Sequence, residues 1–103
     1  MQRYKVVWTD QAKKDLQAIF DHSLGHSKEL ALRTVMRIIR REDQLTSFPG
    51  TGPYEESLAY LNRGYRFLLE GNYKLIYSVR EAKVYVHKVF YSRMNPDRLG
   101  EGL

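Results

Sequence analysis

Five side chains in the second half of the sequence are of types that bind phosphate or transfer protons. Arg66 and Lys74 fall inside two predicted strands. A third predicted strand contains His87 and Tyr91, and Arg93 follows it. Cations bind phosphates, and a histidine can act as a general base. The chemistry open to these residues is therefore nucleic-acid binding or general-base catalysis, or for the histidine a purely structural hydrogen bond.

Three predicted strands position these side chains, at 64–69, 73–79 and 83–91, and they include the stretch YRFLLEGNYKLIYSV. A three-residue turn at 70–72 and a two-residue turn at 81–82 set their register. The register predicts four cross-strand pairs: Tyr77 with Val86, Tyr73 with Phe90, Lys74 with Val89, and Ile76 with His87.

Strand side chains alternate between the two faces of a sheet, and this alternation separates the apolar residues from most of the cations. The apolar face requires helices to cover it, and Lys88 is its one discordant member, expected to reach the sheet margin. This face is predicted to carry Tyr65, Phe67, Leu69, Tyr73, Leu75, Tyr77, Val79, Val84, Val86 and Phe90. The opposite, open face is predicted to carry Arg66, Lys74, Tyr85, His87 and Tyr91.

These five residues and Arg93 together form what we call the predicted binding face. Cations interleaved with aromatic rings suit phosphates and stacked bases. They suit an acidic peptide equally well, and antiparallel sheets also commonly leave one polar face to solvent.

The first half of the sequence supplies the helices. A strand is predicted at 4–8, then a helix capped by Thr9 that ends at Gly25, then a helix capped by Ser27 that ends at Phe48. The predicted order is β-α-α-β-β-β. It defines an α+β fold in which a helix hairpin packs on one face of an antiparallel sheet. We predict a single domain, 1–103, with one helical turn near 55–61 and a loosely held tail at 92–103.

Composition limits the class of protein and its environment. The chain has 103 residues, of which 43% are hydrophobic, and no cysteine. Without cysteine there is no disulfide or thiolate zinc site, and a cytoplasmic location is expected. No apolar run approaches the roughly 20 residues of a membrane span, so no membrane partner is expected. The net charge of +5 favours a polyanionic partner, either nucleic acid or an acidic protein.

No cofactor or metal site is predicted. His22 and His26 are four residues apart, but no third ligand lies near them and the glutamate of an HExxH motif is missing. The second predicted helix carries cations at helical spacing, interpreted as a solvated face or a surface for an acidic protein: Arg33, Arg37, Arg40 and Arg41.

Four stretches, in this order, resemble the ParE/RelE superfamily of toxins from bacterial type II toxin–antitoxin systems: WTDQAKKDLQAIFDH, LTSFPGTG, YRFLLEGNYKLIYSV and VYVHKVFYSRMNPDRL. The resemblance covers nearly the whole chain, and its last two stretches are most similar to the ParE branch. It implies the helix hairpin and sheet described above, a role in plasmid stabilisation, and an acidic antitoxin that wraps the toxin.

Two activities occur in this superfamily: RelE-like toxins cleave mRNA on the ribosome, and ParE-like toxins poison DNA gyrase. By resemblance, Lys74 falls where RelE-like enzymes have a strand arginine, and lysine lacks its planar fork. Arg66 falls near a strand lysine, and Arg93 near a basic pair after the last strand. The RelE-like tyrosine beyond that strand has no counterpart, since no aromatic residue follows Tyr91.

The sequence therefore predicts a ParE-like toxin that poisons DNA gyrase and is neutralised by a cognate acidic antitoxin, with no catalytic residue assigned. One alternative is a ribosome-dependent mRNA endonuclease. A second is a non-toxic relic that only binds its antitoxin. The catalytic candidates of the endonuclease alternative are Arg66, Lys74, His87, Tyr91 and Arg93.

Overall fold

The computed structural model describes residues 3–103, so residues 1 and 2 of the predicted domain lie outside it. Four strands form one sheet in the order β1-β4-β3-β2, and three helices pack on it. The strands β2, β3 and β4 are antiparallel, as predicted, whereas β1 pairs parallel with β4. The α+β fold class is confirmed. The elements are β1 (Lys5–Trp8), α1 (Asp10–Leu24), α2 (Lys28–Ile39), α3 (Arg41–Ser47), β2 (Arg66–Glu70), β3 (Tyr73–Arg80) and β4 (Lys83–Tyr91).

Each helix of the hairpin begins at its predicted N-cap residue. Thr9 accepts a hydrogen bond from the N–H of Ala12, and Ser27 accepts one from the N–H of Leu30. The second helix does not run to Phe48 as predicted, because it is interrupted at Arg40. The interruption separates α3, which packs beside β1 and accepts a 2.8 Å hydrogen bond from the Trp8 indole on Glu42.

The turn between β2 and β3 is one residue shorter than predicted. Glu70 pairs with Tyr73, so only Gly71 and Asn72 form the turn. Gly71 has φ 57°, a conformation that lets the chain reverse within two residues. The shorter turn exchanges the two faces of β2, so three predicted assignments to the helix-covered face were wrong: Tyr65, Phe67 and Leu69.

An irregularity in β4 changes the faces a second time. Tyr77 pairs with Val86 as predicted, but Ile76 pairs with Lys88, which leaves His87 as an extra residue in a β-bulge. Beyond the bulge the side chains of β4 are exchanged between faces. The other three predicted pairs were therefore wrong, and the observed ones are Tyr73 with Tyr91, Lys74 with Phe90, and Ile76 with Lys88.

Each face of the sheet carries its own apolar cluster. The larger cluster lies between the helices and the sheet and includes Ile38, Leu75 and Val86, all fully buried. A smaller one lies on the opposite face: Leu58, Tyr65, Ile76, Phe90 and Leu99. Phe90 was predicted on the helix-covered face and lies on this one instead. Apolar side chains therefore cover both faces of the sheet at the end that carries Phe90.

The chain after β4 supplies part of that second cover. Lys88 lies on the face away from the helices, and its ammonium donates to the carbonyls of Arg98, Leu99 and Glu101 at 3.2, 3.0 and 2.8 Å. Leu99 is 4% exposed within the smaller apolar cluster. Where the sequence predicts a loosely held tail and a lysine at the sheet margin, the structure has a tail packed on the sheet and held by that lysine.

No helix within residues 3–103 is both long and apolar enough to cross a membrane.

Candidate functional site

Lys74 points away from the helices, as predicted, but its charge is neutralised within the fold. Its ammonium lies 2.6 Å from a carboxylate oxygen of Glu55 and 4.4 Å from the centre of the Phe67 ring. Burial alone raises the pKa of Glu55, but hydrogen bonds from Lys74 and Ser57 outweigh it and hold that pKa below its ordinary value. Lys74 is thus held in an ion pair.

Arg66 lies on the other side of the sheet from Lys74, contrary to the prediction. It pairs with Tyr77, whose side chain belongs to the cluster under the helices. Its guanidinium donates to the carbonyls of Gly50 and Gly52 and stacks 3.9 Å from the centre of the Tyr54 ring. These contacts hold the 49–54 loop against the edge of β2.

Tyr91 also points toward the helices, because the bulge precedes it. Its ring lies 5.5 Å from the ring of Tyr73. Both rings line a groove of about 410 Å³ against α1, together with Ile19 and His22. Arg93 is exposed in the turn after β4.

His87 and Tyr85 remain on the face away from the helices, as predicted, with their rings 6.2 Å apart. The Nε2 atom of His87 lies 2.7 Å from the hydroxyl of Ser78, and the edge of the ring meets Tyr65 at 5.2 Å. Burial lowers the pKa of His87, and the positive charges of Arg80 and Arg63 lower it further. The neutral imidazole is thus favoured, in a hydrogen bond with a buried serine.

The predicted binding face is therefore divided among four places, one of which is the turn after β4 that carries Arg93. Lys74, Tyr85 and His87 share one face of the sheet. Arg66 lies at the edge of β2, and Tyr91 lies in the groove against α1. Our sequence reasoning missed Glu55, which follows no periodic pattern. It also missed four exposed cations around Tyr85 and His87: Lys5, Arg63, Arg80 and Lys83. The predicted turn at 81–82 already paired two of them, Arg80 and Lys83.

The helix hairpin carries a second surface of functional interest. Leu32 and Met36 are 49% and 45% exposed on α2. Beside them, a groove of about 390 Å³ runs between α1 and α2, lined by Lys13, Leu16, Gln17, Phe20, Val35 and Ile39. Exposed cations surround this apolar surface, so it combines the two features that an acidic amphipathic segment would match.

No group of three or more potential metal ligands is placed to hold an ion among the residues from Arg3 onward. His22 and His26 have ring centres 6.0 Å apart on the surface of the hairpin.

Comparison with known proteins gives a family for this fold. Residues 6–96 match the model for the ParE toxin of the type II toxin–antitoxin system, parDE. A solved structure described as the chromosomal ParDE TA system from P. aeruginosa is similar, with a TM-score of 0.73 and 25% identity, over 86% of this chain and 96% of that one. No curated protein matches in sequence. Because the family model spans nine-tenths of the fold just described, the chain belongs to the ParE toxins of type II toxin–antitoxin systems.

Proposed function

We propose that this ParE toxin arrests growth by contacting DNA gyrase and stabilising its cleaved-DNA state, rather than by cutting RNA. The main observation in support is the 2.6 Å ion pair between Lys74 and Glu55. A cation that stabilises a scissile phosphate needs a free charge in the site, and this one is already neutralised. Lys74 is also the residue that the resemblance aligns with a RelE-like strand arginine.

Two further contacts support the same proposal. Arg66 donates to loop carbonyls on the opposite side of the sheet from Lys74. Tyr91 faces α1, so it does not share a site with His87. A general acid, a general base and a phosphate-binding cation must lie within reach of one substrate, and these candidates lie on different surfaces.

Induced expression in bacteria with pulse labelling of DNA, RNA and protein tests the proposal. We expect DNA synthesis to stop first, with double-strand breaks, and purified gyrase to accumulate cleaved plasmid when the toxin is added. The charge-removing double variant Glu55→Gln/Lys74→Met should keep this activity. Early arrest of protein synthesis with cut mRNA would instead establish the endonuclease. Expression with no arrest would contradict the proposal, as expected of an inactive relic or of a toxin whose target the host lacks.

We further propose that a cognate antitoxin neutralises the toxin by laying an acidic amphipathic helix on the hairpin surface around Leu32 and Met36. The apolar groove would receive one face of that helix, and the exposed cations Lys13, Arg37 and Arg40 would meet its acidic face. The net charge of +5 supports an acidic occupant.

Co-expression with an acidic reading frame adjacent to the gene tests this partner. We expect the two chains to copurify and growth to be restored. Leu32→Glu/Met36→Glu should abolish both effects. Leu69→Glu is the matched control, because Leu69 is 53% exposed on the sheet face opposite the hairpin. Equal loss in both variants would contradict the hairpin as the antitoxin surface.

A further inference from the structure

Three cations lie side by side across three neighbouring strands at one end of the sheet. Lys5 of β1 pairs with Lys83 of β4, and Lys83 pairs with Arg80 of β3. Directly paired residues project from the same face. That face is the one away from the helices, since the next residues along, Val79 and Val84, pair with each other on the helix side.

No carboxylate neutralises this row in the described part of the chain. Lys5, Arg80 and Lys83 are exposed, and none of them takes part in an ion pair among residues 3–103. Glu81 lies between two of them in sequence, but it belongs to the turn and lies within ion-pair distance of neither. Like charges directly opposite each other destabilise a sheet. Folding alone therefore gives no reason for this row.

Aromatic and hydrogen-bonding side chains adjoin the row. The next residues on the same face are Tyr85 and Ser78, which pair with each other, and then His87 of the bulge. Arg63 contributes a fourth positive charge, since it and Arg80 both lower the pKa of His87 beyond the effect of burial. The C-terminal tail contacts Lys88 and the Phe90 cluster, which lie toward the other end of the sheet.

We propose that Lys5, Arg80 and Lys83, with Arg63 and Tyr85, form a binding site for the sugar-phosphate backbone of a nucleic acid. Strands lie about 4.8 Å apart, so the row spans about 10 Å. Each phosphate of one strand in B-form DNA advances about 3.4 Å along the helix axis, so a row of this length can contact more than one phosphate of the same strand. The Tyr85 ring offers a surface on which a base can stack.

The chemistry of this surface favours a nucleic acid over an acidic protein. Protein interfaces depend on a few buried apolar or aromatic anchors. Several large exposed apolar side chains lie on other surfaces, including Leu32 and Met36 on the hairpin and Leu69 at the opposite end of the sheet. Val79, which is 38% exposed beside Arg80, projects from the helix side of the sheet. The site is thus distinct from the proposed antitoxin surface and does not depend on the identity of the toxin's target.

The test is fluorescence anisotropy with the full chain and a labelled 20-nucleotide single-stranded DNA, between 50 and 200 mM salt. Arg80→Gln/Lys83→Gln removes two charges from the row. Lys14→Gln/Lys28→Gln removes two exposed charges from the helix hairpin and is the matched control. Polyglutamate serves as a competing acidic polypeptide. Circular dichroism checks that both variants keep the fold.

We expect the wild-type chain and the Lys14/Lys28 control to bind with the same dependence on salt. The slope of log affinity against log salt is negative, and its magnitude should decrease by about 1.4 in the Arg80/Lys83 variant. Each of the two phosphates that are no longer neutralised contributes about 0.7 on a single strand. The proposal is overturned if the two variants lose affinity equally, because the effect would then be net charge. Absence of binding at 50 mM salt would also overturn it. So would polyglutamate that binds the same residues more tightly than DNA does.

Discussion

The ammonium of Lys74 lies 2.6 Å from the carboxylate of Glu55, whose side chain is only 9% exposed. Glu55 also accepts a hydrogen bond from the Ser57 hydroxyl at 2.9 Å. The pair joins β3 to the segment that follows the 49–54 loop. Lys74, which the sequence predicts on a binding face, therefore holds the segment around Glu55 against the sheet.

Lys74→Met should lower the free energy of unfolding by about 1–3 kcal/mol, since it leaves a buried carboxylate without its charged partner. Glu55→Gln/Lys74→Met should be more stable than the single variant, because no unpaired charge remains. Urea denaturation measures both. Lys14→Met, which alters an exposed lysine of α1, is the control and should have little effect. A Lys74→Met variant as stable as the wild type would show that the pair is not structural.

Stability should fall as pH drops below the ordinary histidine pKa of about 6.5. His87 has a lowered pKa in the folded chain, so the unfolded chain takes up the proton first, and unfolding is favoured. The loss should be at most about 1.4 kcal/mol per pH unit, and it should stop once the folded chain also binds the proton.

Urea midpoints between pH 7 and pH 5 measure this dependence. His87→Gln should flatten it, while His22→Gln, at an exposed position on α1, should leave it unchanged. An unchanged dependence in His87→Gln would assign it to other groups.

Lys88→Met should release the C-terminal tail without unfolding the sheet. The substitution keeps an unbranched, mostly apolar side chain but removes three hydrogen bonds to backbone carbonyls. Hydrogen exchange followed by mass spectrometry should show faster exchange in 96–103, whereas the exchange of β3 should be nearly unchanged. Exchange in the tail at the wild-type rate would show that the apolar contacts of Leu99 alone hold it.

Gly52→Ala should destabilise the fold by about 1–3 kcal/mol or more, the usual range for overpacking. The backbone at Gly52 is extended, with φ −73° and ψ 136°, so any residue could adopt its conformation. Space is what forbids a side chain, because a Cβ would overlap the Tyr77 hydroxyl and lie 2.5 Å from the carbonyl oxygen of Phe67.

Gly50→Ala is the matched control in the same loop, because nothing lies within 4 Å of the position that its Cβ would take. Thermal denaturation should give nearly wild-type behaviour for this variant. Equal stability of the two variants would show that the loop moves to accommodate a side chain at Gly52.

The sequence predicted the elements well because helix caps and strand alternation are local. Thr9 and Ser27 cap their helices as expected, and the alternation within β3 is correct, including the direction of Lys74. The second helix was predicted too long, because its apolar pattern continues through the interruption at Arg40.

The faces of β2 and β4 were harder to predict, since one residue reverses every assignment beyond it. The difference between a two-residue and a three-residue turn at Gly71 exchanged the faces of β2. In β4 the consecutive polar residues His87 and Lys88 interrupt the alternation, and this was the available signal for a bulge. Pairing between distant segments, such as Glu55 with Lys74, leaves no periodic trace in the sequence.

The parallel pairing of β1 with β4 has a consequence for synthesis of the toxin. Thr9, directly after β1, donates to the carbonyl of His87, and the two are 78 residues apart. Ribosomes add about 5–20 residues per second, so β4 is synthesised about 4–16 s after β1. Because β4 is also the partner of β3, a nascent or truncated chain that lacks β4 cannot assemble the sheet. The four-stranded sheet is therefore incomplete until the last strand has been made.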